Sequence, residues 1–409
     1  MPVFLRFFAL VLLFSASLVR GENLNTTYIT LASAVYEDSL ISARDLQSHI
    51  DALLAQPSPK TLSAARDAWR KARVPYQQSE TFRFANPEID DWEGALNAWP
   101  LDEGLIDYVS DDYFHEMGNL GAQLNIIANP TIQLAGQEID AREISPELIQ
   151  SFHEFAGSEA NVASGYHAIE FLLWGQDLNG TQAGAGERPY TDFVVDDNCS
   201  NGHCERRRQY LKAVTTLLVS DLEAMVARWQ AGGDLHKKYS TMSEEAVANS
   251  IVFSIGSLSL GELAGERMKV PLEANSTEDE HDCFSDNTHW SHYYNALGMQ
   301  NLFTGQYQRI NGDSVGGPSL ADFARKRAPE ATEHLRRAMN VSVEKTQALV
   351  KAAEHKIKPM KFDQMIAEGN REGRALVMNA IDALVAQTTA LEDLARTLGL
   401  GSENSDASH

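Results

Sequence analysis

Apolar positions recur at helical spacing along nearly the whole chain. Residues 31–55 read as one long helix, stopped by Pro57 and Pro59. Thr61 or Ser63 can cap the next, which carries Leu62, Ala65, Ala68, Trp69 and Ala72 and is expected to kink or break at Pro75. Ser145-Pro146-Glu147 spells a helix start, with a cap, a proline at the first helical position and an acid in the first turn. A helix over 158–175 follows, with Ile169, Leu172 and Leu173 on one face. Further helices are expected over 206–229, 243–273, 290–305, 319–356 and 363–398. Gly256, Gly261 and Gly265 are spaced to let another helix approach closely. No run of alternating apolar and β-branched residues predicts a strand. The expected fold is all-α, two similar helical bundles packed together. Ala231-Gly232-Gly233 marks their boundary, giving an N-terminal bundle over 22–231 and a C-terminal bundle over 232–401. The polar stretch 402–409 is expected to be a disordered tail.

The first 21 residues break this pattern. Arg6 precedes an apolar stretch over 7–14, small residues follow at Ser15, Ala16 and Ser17, and a cut is possible after Gly21. The stretch is too short to span a bilayer comfortably, and no later stretch is expected to reach that length. The expectation is an exported protein with no transmembrane span once the signal is removed. Against 34 Lys and Arg stand 57 Asp and Glu, a formal net charge of −23, which repels phosphate backbones and argues against nucleic acid as a partner. In an oxidising compartment Cys199 and Cys204 could close a short loop, leaving Cys283 over, although the sequence leaves all three pairings open.

Candidate chemistry centres on Gly165-Tyr-His-Ala-Ile-Glu170. His167 and Glu170, three apart on a helix, have β-carbons about 5–6 Å from one another. They can close on one metal ion, or the carboxylate can orient the ring through a hydrogen bond. Residues 278–292 hold the densest group of potential ligands. There Asp282, Asp286 and His289 form a second candidate site, with Ser285 or Asp286 alternatively capping the helix that follows.

Five ordered stretches resemble the imelysin-like family, of the iron-regulated protein A type. They are Ala68-Trp-Arg with Pro75-Tyr-Gln-Gln-Ser-Glu80, then Asn97-Ala-Trp-Pro-Leu-Asp-Glu103, then Gly165-Tyr-His-Ala-Ile-Glu170-Phe-Leu-Leu-Trp-Gly175, then Gly186-Glu-Arg-Pro-Tyr190, and Asp279-Glu-His-Asp-Cys-Phe-Ser-Asp-Asn-Thr-His289. The resemblance implies two similar four-helix bundles, export to the periplasm or cell envelope, and a functional site between the bundles. It also implies a role in bacterial iron uptake, with a metal ion or iron complex as ligand and an envelope iron-uptake protein as a possible partner. Carried onto this chain, the metal ligands are His167, Glu170 and Glu80, lined by Arg73, Asp102, Glu103, Glu266, Arg267 and His289. Carboxylate oxygens with an imidazole suit iron at least as well as zinc, so a divalent or trivalent ion, iron favoured, is the expected ligand. The alternative is a metal-dependent peptidase at the same motif. It would need Glu80 or another carboxylate as general base and an open coordination position.

Overall fold

In the computed structural model, residues 23–111, 113, 119–134 and 136–401 are described; the expected signal segment and the 402–409 tail lie outside them. The chain is all-α, with helices laid down from well-formed starts. Helix α1 (Leu24–Ala55) begins at Asn23 and α2 (Pro59–Ser79) at Ser58, and both starts are capping boxes. Thr61 does not cap α2 itself; it completes the box, its backbone N–H donating to the Ser58 hydroxyl. Pro75 does not end α2, which runs on to Ser79 and passes into a 3₁₀ turn at Glu80–Phe82. Next come α3 (Pro87–Asn97), an unexpected hairpin of β1 (Thr131–Leu134) and β2 (Gln137–Asp140), and α4 (Pro146–Phe152), capped by Ser145 as its sequence predicts.

Helix α5 (Gly165–Trp174) is shorter than its pattern suggests, and the cause is Gly165. Its φ of +83° is open to glycine and costly for other residues, and a Cβ there would stand 2.3 Å from the Leu96 carbonyl oxygen. The start of α5 is therefore pressed against the end of α3. All ten residues of α5 are buried.

The chain continues through α6 (Cys204–Trp229), with a Cys199–Cys204 disulfide at its start, and α7 (Asp234–Thr241). Helix α8 (Glu244–Gly256) runs without a break into a π-helical segment, Ser257–Lys269, and then α9 (Val270–Ala274). This 31-residue rod is long and apolar enough to cross a membrane by length and composition, contrary to the sequence expectation, but here it packs along the final helix. The rest is α10 (Thr288–Thr304), a small hairpin of β3 (Gln306–Gln308) and β4 (Ser314–Gly316), α11 (Leu320–Arg325), α12 (Pro329–Ala353), α13 (Phe362–Ile366) and α14 (Arg371–Leu398). Gly369, at φ +79°, separates the last two, which the sequence pattern runs together.

Helices α1, α2, α5 and α6 pack on one another, as do the α8 rod, α10, α12 and α14, and α10 lies along α2 to join the two sets. The close approach at that seam is made by Gly298, where a Cβ would meet the Gln78 carbonyl oxygen at 2.6 Å. Gly256, Gly261 and Gly265 do not make such an approach: Gly256 has only a Leu391 methyl at 3.7 Å, Gly261 faces open space, and Gly265 meets its own helix. Within the first set, the Trp69 indole N–H donates to the Tyr166 carbonyl at 2.9 Å and the Tyr76 and Tyr166 rings lie 4.7 Å apart, locking α2 to α5.

Gly165 and Gly298 thus set close backbone contacts, and Gly256, Gly261 and Gly265 do not. Gly165→Ala is expected to lose at least about 1–3 kcal/mol from backbone strain alone, before the clash with Leu96. Gly261→Ala should be neutral or gain up to ~1 kcal/mol. Urea denaturation midpoints check both; equal effects would contradict the packing described.

Candidate functional site

The site forms where α2 and α5 lie side by side beneath the loop that links α9 to α10. His167 Nδ1 is 3.0 Å from Glu170 Oε2. The other oxygen of Glu170 accepts from the Ser285 backbone N–H at 3.0 Å and the Ser285 hydroxyl at 2.6 Å, tying α5 to the loop. Asp282 reaches from that loop to Arg73 on α2, with Oδ1 2.9 Å from Nη2 and 4.0 Å from His167 Nδ1. Its second oxygen accepts from Asn287 at 3.0 Å and from the Ser291 hydroxyl. His281 Nε2 accepts from the same Arg73 Nη2 at 3.1 Å and faces the Gln77 amide at 3.2 Å. Arg73 also donates to Asn97 at 2.6 Å and lies against the Trp69, Tyr76 and Tyr166 rings. Each of these ionisable groups is at most 2% exposed.

Burial dominates the electrostatics. It lowers the His167 pKa to about 3, helped by the charge of Arg73, and drives His281 well below its usual value. Both rings are therefore neutral. Burial would also raise Asp282, but Arg73, with His167 and the Ser291 and Asn287 hydrogen bonds, outweighs it and holds the carboxyl below its usual range. Glu170 is pushed well above the usual carboxyl range by burial and then by the charge of Asp282. The His167–Glu170 contact is thus a neutral hydrogen bond. His167 Nε2 is buried and has no hydrogen-bond partner.

Among the described residues, His167, His281 and Asp282 are the one group of three able to offer ligand atoms within 4.8 Å of one another. Two imidazoles and a carboxylate make a donor set found with ferrous iron and with zinc. Each of the two rings also keeps one buried nitrogen without a hydrogen-bond partner, Nε2 on His167 and Nδ1 on His281. Arg73 Nη2, bridging Asp282 and His281, holds the position of a cation between them. With an ion on Nε2, His167 would carry its proton on Nδ1 and donate it to Glu170, a carboxylate–histidine–metal arrangement.

Of the other residues expected at the site, Arg267 lies at its edge, its charge acting on both His167 and His281, and the rest are placed elsewhere. Glu80 lies in the turn after α2 and pairs with Arg267 Nη2 at 2.6 Å, so it is not grouped with His167. Arg267 is buried and is also held by Glu262 at 2.7 Å and Asn295 at 2.8 Å. Asp102 accepts from Tyr113 and Asn119 and makes no side-chain cap. Glu103 is buried beside a separate cavity. Glu266 is exposed. His289 pairs with Glu354 at 2.8 Å, so Asp282, Asp286 and His289 do not converge. Asp286 does not cap α10, whose cap position is Asn287. The sequence reading missed His281. Its one signal was the density of ligand-type residues around 278–292, since the partner that gives it meaning is more than 100 residues earlier.

Burial, then the charge of Glu278, pushes the Glu103 carboxyl up to about 8. Between about pH 4.5 and 8 the folded chain keeps a proton that the unfolded chain has lost, so this group erodes stability as pH rises. Chelator-treated Glu103→Gln should therefore gain thermal stability over the wild type at the upper end of that window and match it at the lower end. A pH-independent difference in melting temperature would contradict the assignment.

Comparison with known proteins agrees with this architecture. A sequence profile of the imelysin family (peptidase M75) matches residues 32–391. Iron-regulated protein A from Synechococcus elongatus is 23% identical over 311 residues, covering 73% of this chain and 67% of that protein. A crystal structure from Parabacteroides distasonis, of a protein assigned as an iron-regulated protein A precursor, superposes with a TM-score of 0.62 at 18% identity. It covers 92% of this chain and 96% of the other, which establishes a shared fold. With a profile matched over most of its length and the Gly-x-His-x-x-Glu helix at the centre of its buried polar site, this chain belongs to the imelysin family.

Proposed function

We propose that this protein binds iron, as the ferrous ion or a small iron complex, through His167, His281 and Asp282, and serves iron uptake or homeostasis in the cell envelope. The observation that carries the reading is the buried group of His167, His281 and Asp282, whose ligand atoms lie within 4.8 Å of one another. The name of the Synechococcus elongatus relative supports iron as the ion. Export is supported by the apolar N-terminal stretch and by a Cys199–Cys204 bridge, which suits an oxidising compartment. Glu170 serves as the group that orients His167, and the ligand it was expected to be is supplied by Asp282. Arg73 holds Asp282 and His281 until the ion displaces its guanidinium. An envelope partner that receives the iron completes the proposal.

The peptidase reading is less well supported by the geometry. Both oxygens of Glu170 are engaged, by His167 and Ser285, so it is not free as a general base. Glu80 is held by Arg267. The three ligand groups are buried, which suits holding an ion better than presenting it to a peptide.

Anaerobic titration with ferrous iron tests the proposal. The wild type should take up about one ion per chain at the three-donor set. His167→Ala, His281→Ala and Asp282→Asn should lose it, and Glu80→Gln should keep it. Retention by His281→Ala together with loss in Glu80→Gln would overturn the ligand assignment. A wild type that binds no iron would overturn the function.

Arg73 gives a second test. Arg73→Met strands a buried carboxylate and should cost the metal-free protein about 3–5 kcal/mol. Ferrous iron should then restore more stability to this variant than it adds to the wild type. Equal stabilisation of the two would show that the ion does not take the place of the guanidinium.

A further inference from the structure

A cavity of about 560 Å³ is bounded by α2, the end of α5 and the segment 185–190. One face of α2 supplies Leu62, Ser63, Arg66 and Arg70, and α5 supplies Trp174. The segment holds Gly186-Glu-Arg-Pro-Tyr190, a motif singled out by the sequence that the metal site leaves unused. Its wall is firmly placed. The Arg188 backbone N–H donates to the Trp174 carbonyl at 2.7 Å, and the Gly186 N–H donates to the Phe284 carbonyl at 2.9 Å. A Cβ on Gly186 would stand 2.6 Å from that same Trp174 carbonyl oxygen, so the close approach depends on glycine.

The charge of this lining is unusual for a chain of net charge −23. Three arginines line the cavity against one carboxylate, Glu187, which is exposed. Arg188 is already matched, its Nη1 lying 2.7 Å from Asp107 and 3.0 Å from Asp192. Arg66 is held by neutral carbonyls instead. Its Nε and Nη2 donate to Leu173 at 3.1 and 2.9 Å, and Nη2 also donates to Arg188 at 2.9 Å. Among the described residues Arg66 makes no ion pair, and its Nη1 takes no part in these bonds. Arg70, one turn on, has a 3.3 Å contact with Asp67, and both ends of that pair are open to solvent. The two guanidiniums lie against the Trp174 ring, at 5.4 and 5.0 Å. Burial, then the like charges of Arg70 and Arg188, lowers the Arg66 pKa to about 10. A carboxylate on each guanidinium would relieve that repulsion and form charge-assisted hydrogen bonds.

The cavity is far larger than a bare phosphate needs, and Pro59 and Pro189 add apolar wall, which calls for a carbon skeleton between the charged groups. We propose that this cavity binds a small organic dicarboxylate, held by Arg66 and Arg70 with its carbon body against Pro59 and Pro189. The site is separate from the iron site and does not rest on that reading.

Isothermal titration calorimetry with succinate, on chelator-treated protein, reads the site. Succinate should bind with a dissociation constant below about 1 mM at low salt, and more weakly as salt is added. Arg70→Gln and Arg66→Gln should each bind about tenfold more weakly or worse. Glu187→Gln should bind roughly two- to fivefold more tightly, since the opposing carboxylate is gone. His167→Ala should bind as the wild type does. Arg66→Gln also loses its bonds to the end of α5, so thermal melts check that it folds, and Arg70→Gln decides if it does not. Four results would overturn the proposal: no succinate binding by the wild type in that range, unchanged binding in the folded arginine variants, weaker binding by Glu187→Gln, or inorganic phosphate bound as tightly as succinate.

Discussion

The buried ion pair between Arg73 and Asp282 is the constraint on which the site depends. Each charge alone would carry a desolvation cost of several kcal/mol in this dry interior, so neither residue can be accommodated without the other. The pair joins α2 to a loop 209 positions later in the chain. Once Asp282 is fixed, Asn287 and Ser291 fasten its other oxygen to the start of α10, and His281 is carried to Arg73 as its neighbour. The loop that brings the second imidazole to His167 is thus positioned by electrostatics as much as by packing.

A second guanidinium organises the other side of the junction. Arg267 binds Glu80, Glu262 and Asn295 and faces Gln77, which also lies against His281. Arg73 comes from α2 and Arg267 from the π-helical segment that follows α8. Their surroundings differ in charge. Arg267 is matched by two carboxylates. Arg73 has one carboxylate and a neutral imidazole, and the His167 ring packs against that imidazole at 4.9 Å. That difference in charge distinguishes the two arginine networks of the junction.

Much of this fold is legible in the sequence because helix starts and periodic faces are local. Ser145-Pro146 and the apolar faces of α6 and α14 are read from neighbours within a few residues. The same locality explains the misses. The start of α5 is set by the backbone of Leu96, and the break before α14 by a single left-handed glycine. The hairpins are three or four residues per strand, too short for alternation to register. In the site, His167 and Glu170 are neighbours in sequence and were paired in advance. Glu80 was placed with them because nothing local reveals that Arg267 claims it. His281 was passed over because its partners are brought to it only by the tertiary fold.

The π-helical stretch Ser257–Lys269 bears on how this sequence can change over time. Glu262 and Arg267 are five apart, a spacing that α-helical geometry turns away from a shared face and that the wider π turn brings into contact. A π turn holds an extra residue relative to an α turn. Losing one residue here would let the segment relax to the tighter α form, in which the spacing that joins Glu262 to Arg267 is no longer kept. Arg267 would part from Glu262, leaving that half-buried carboxylate without its nearest countercharge. Single-residue deletions, usually harmless on exposed surfaces, should therefore be purged from this stretch, and its length should be held as strictly as the identity of its charged residues.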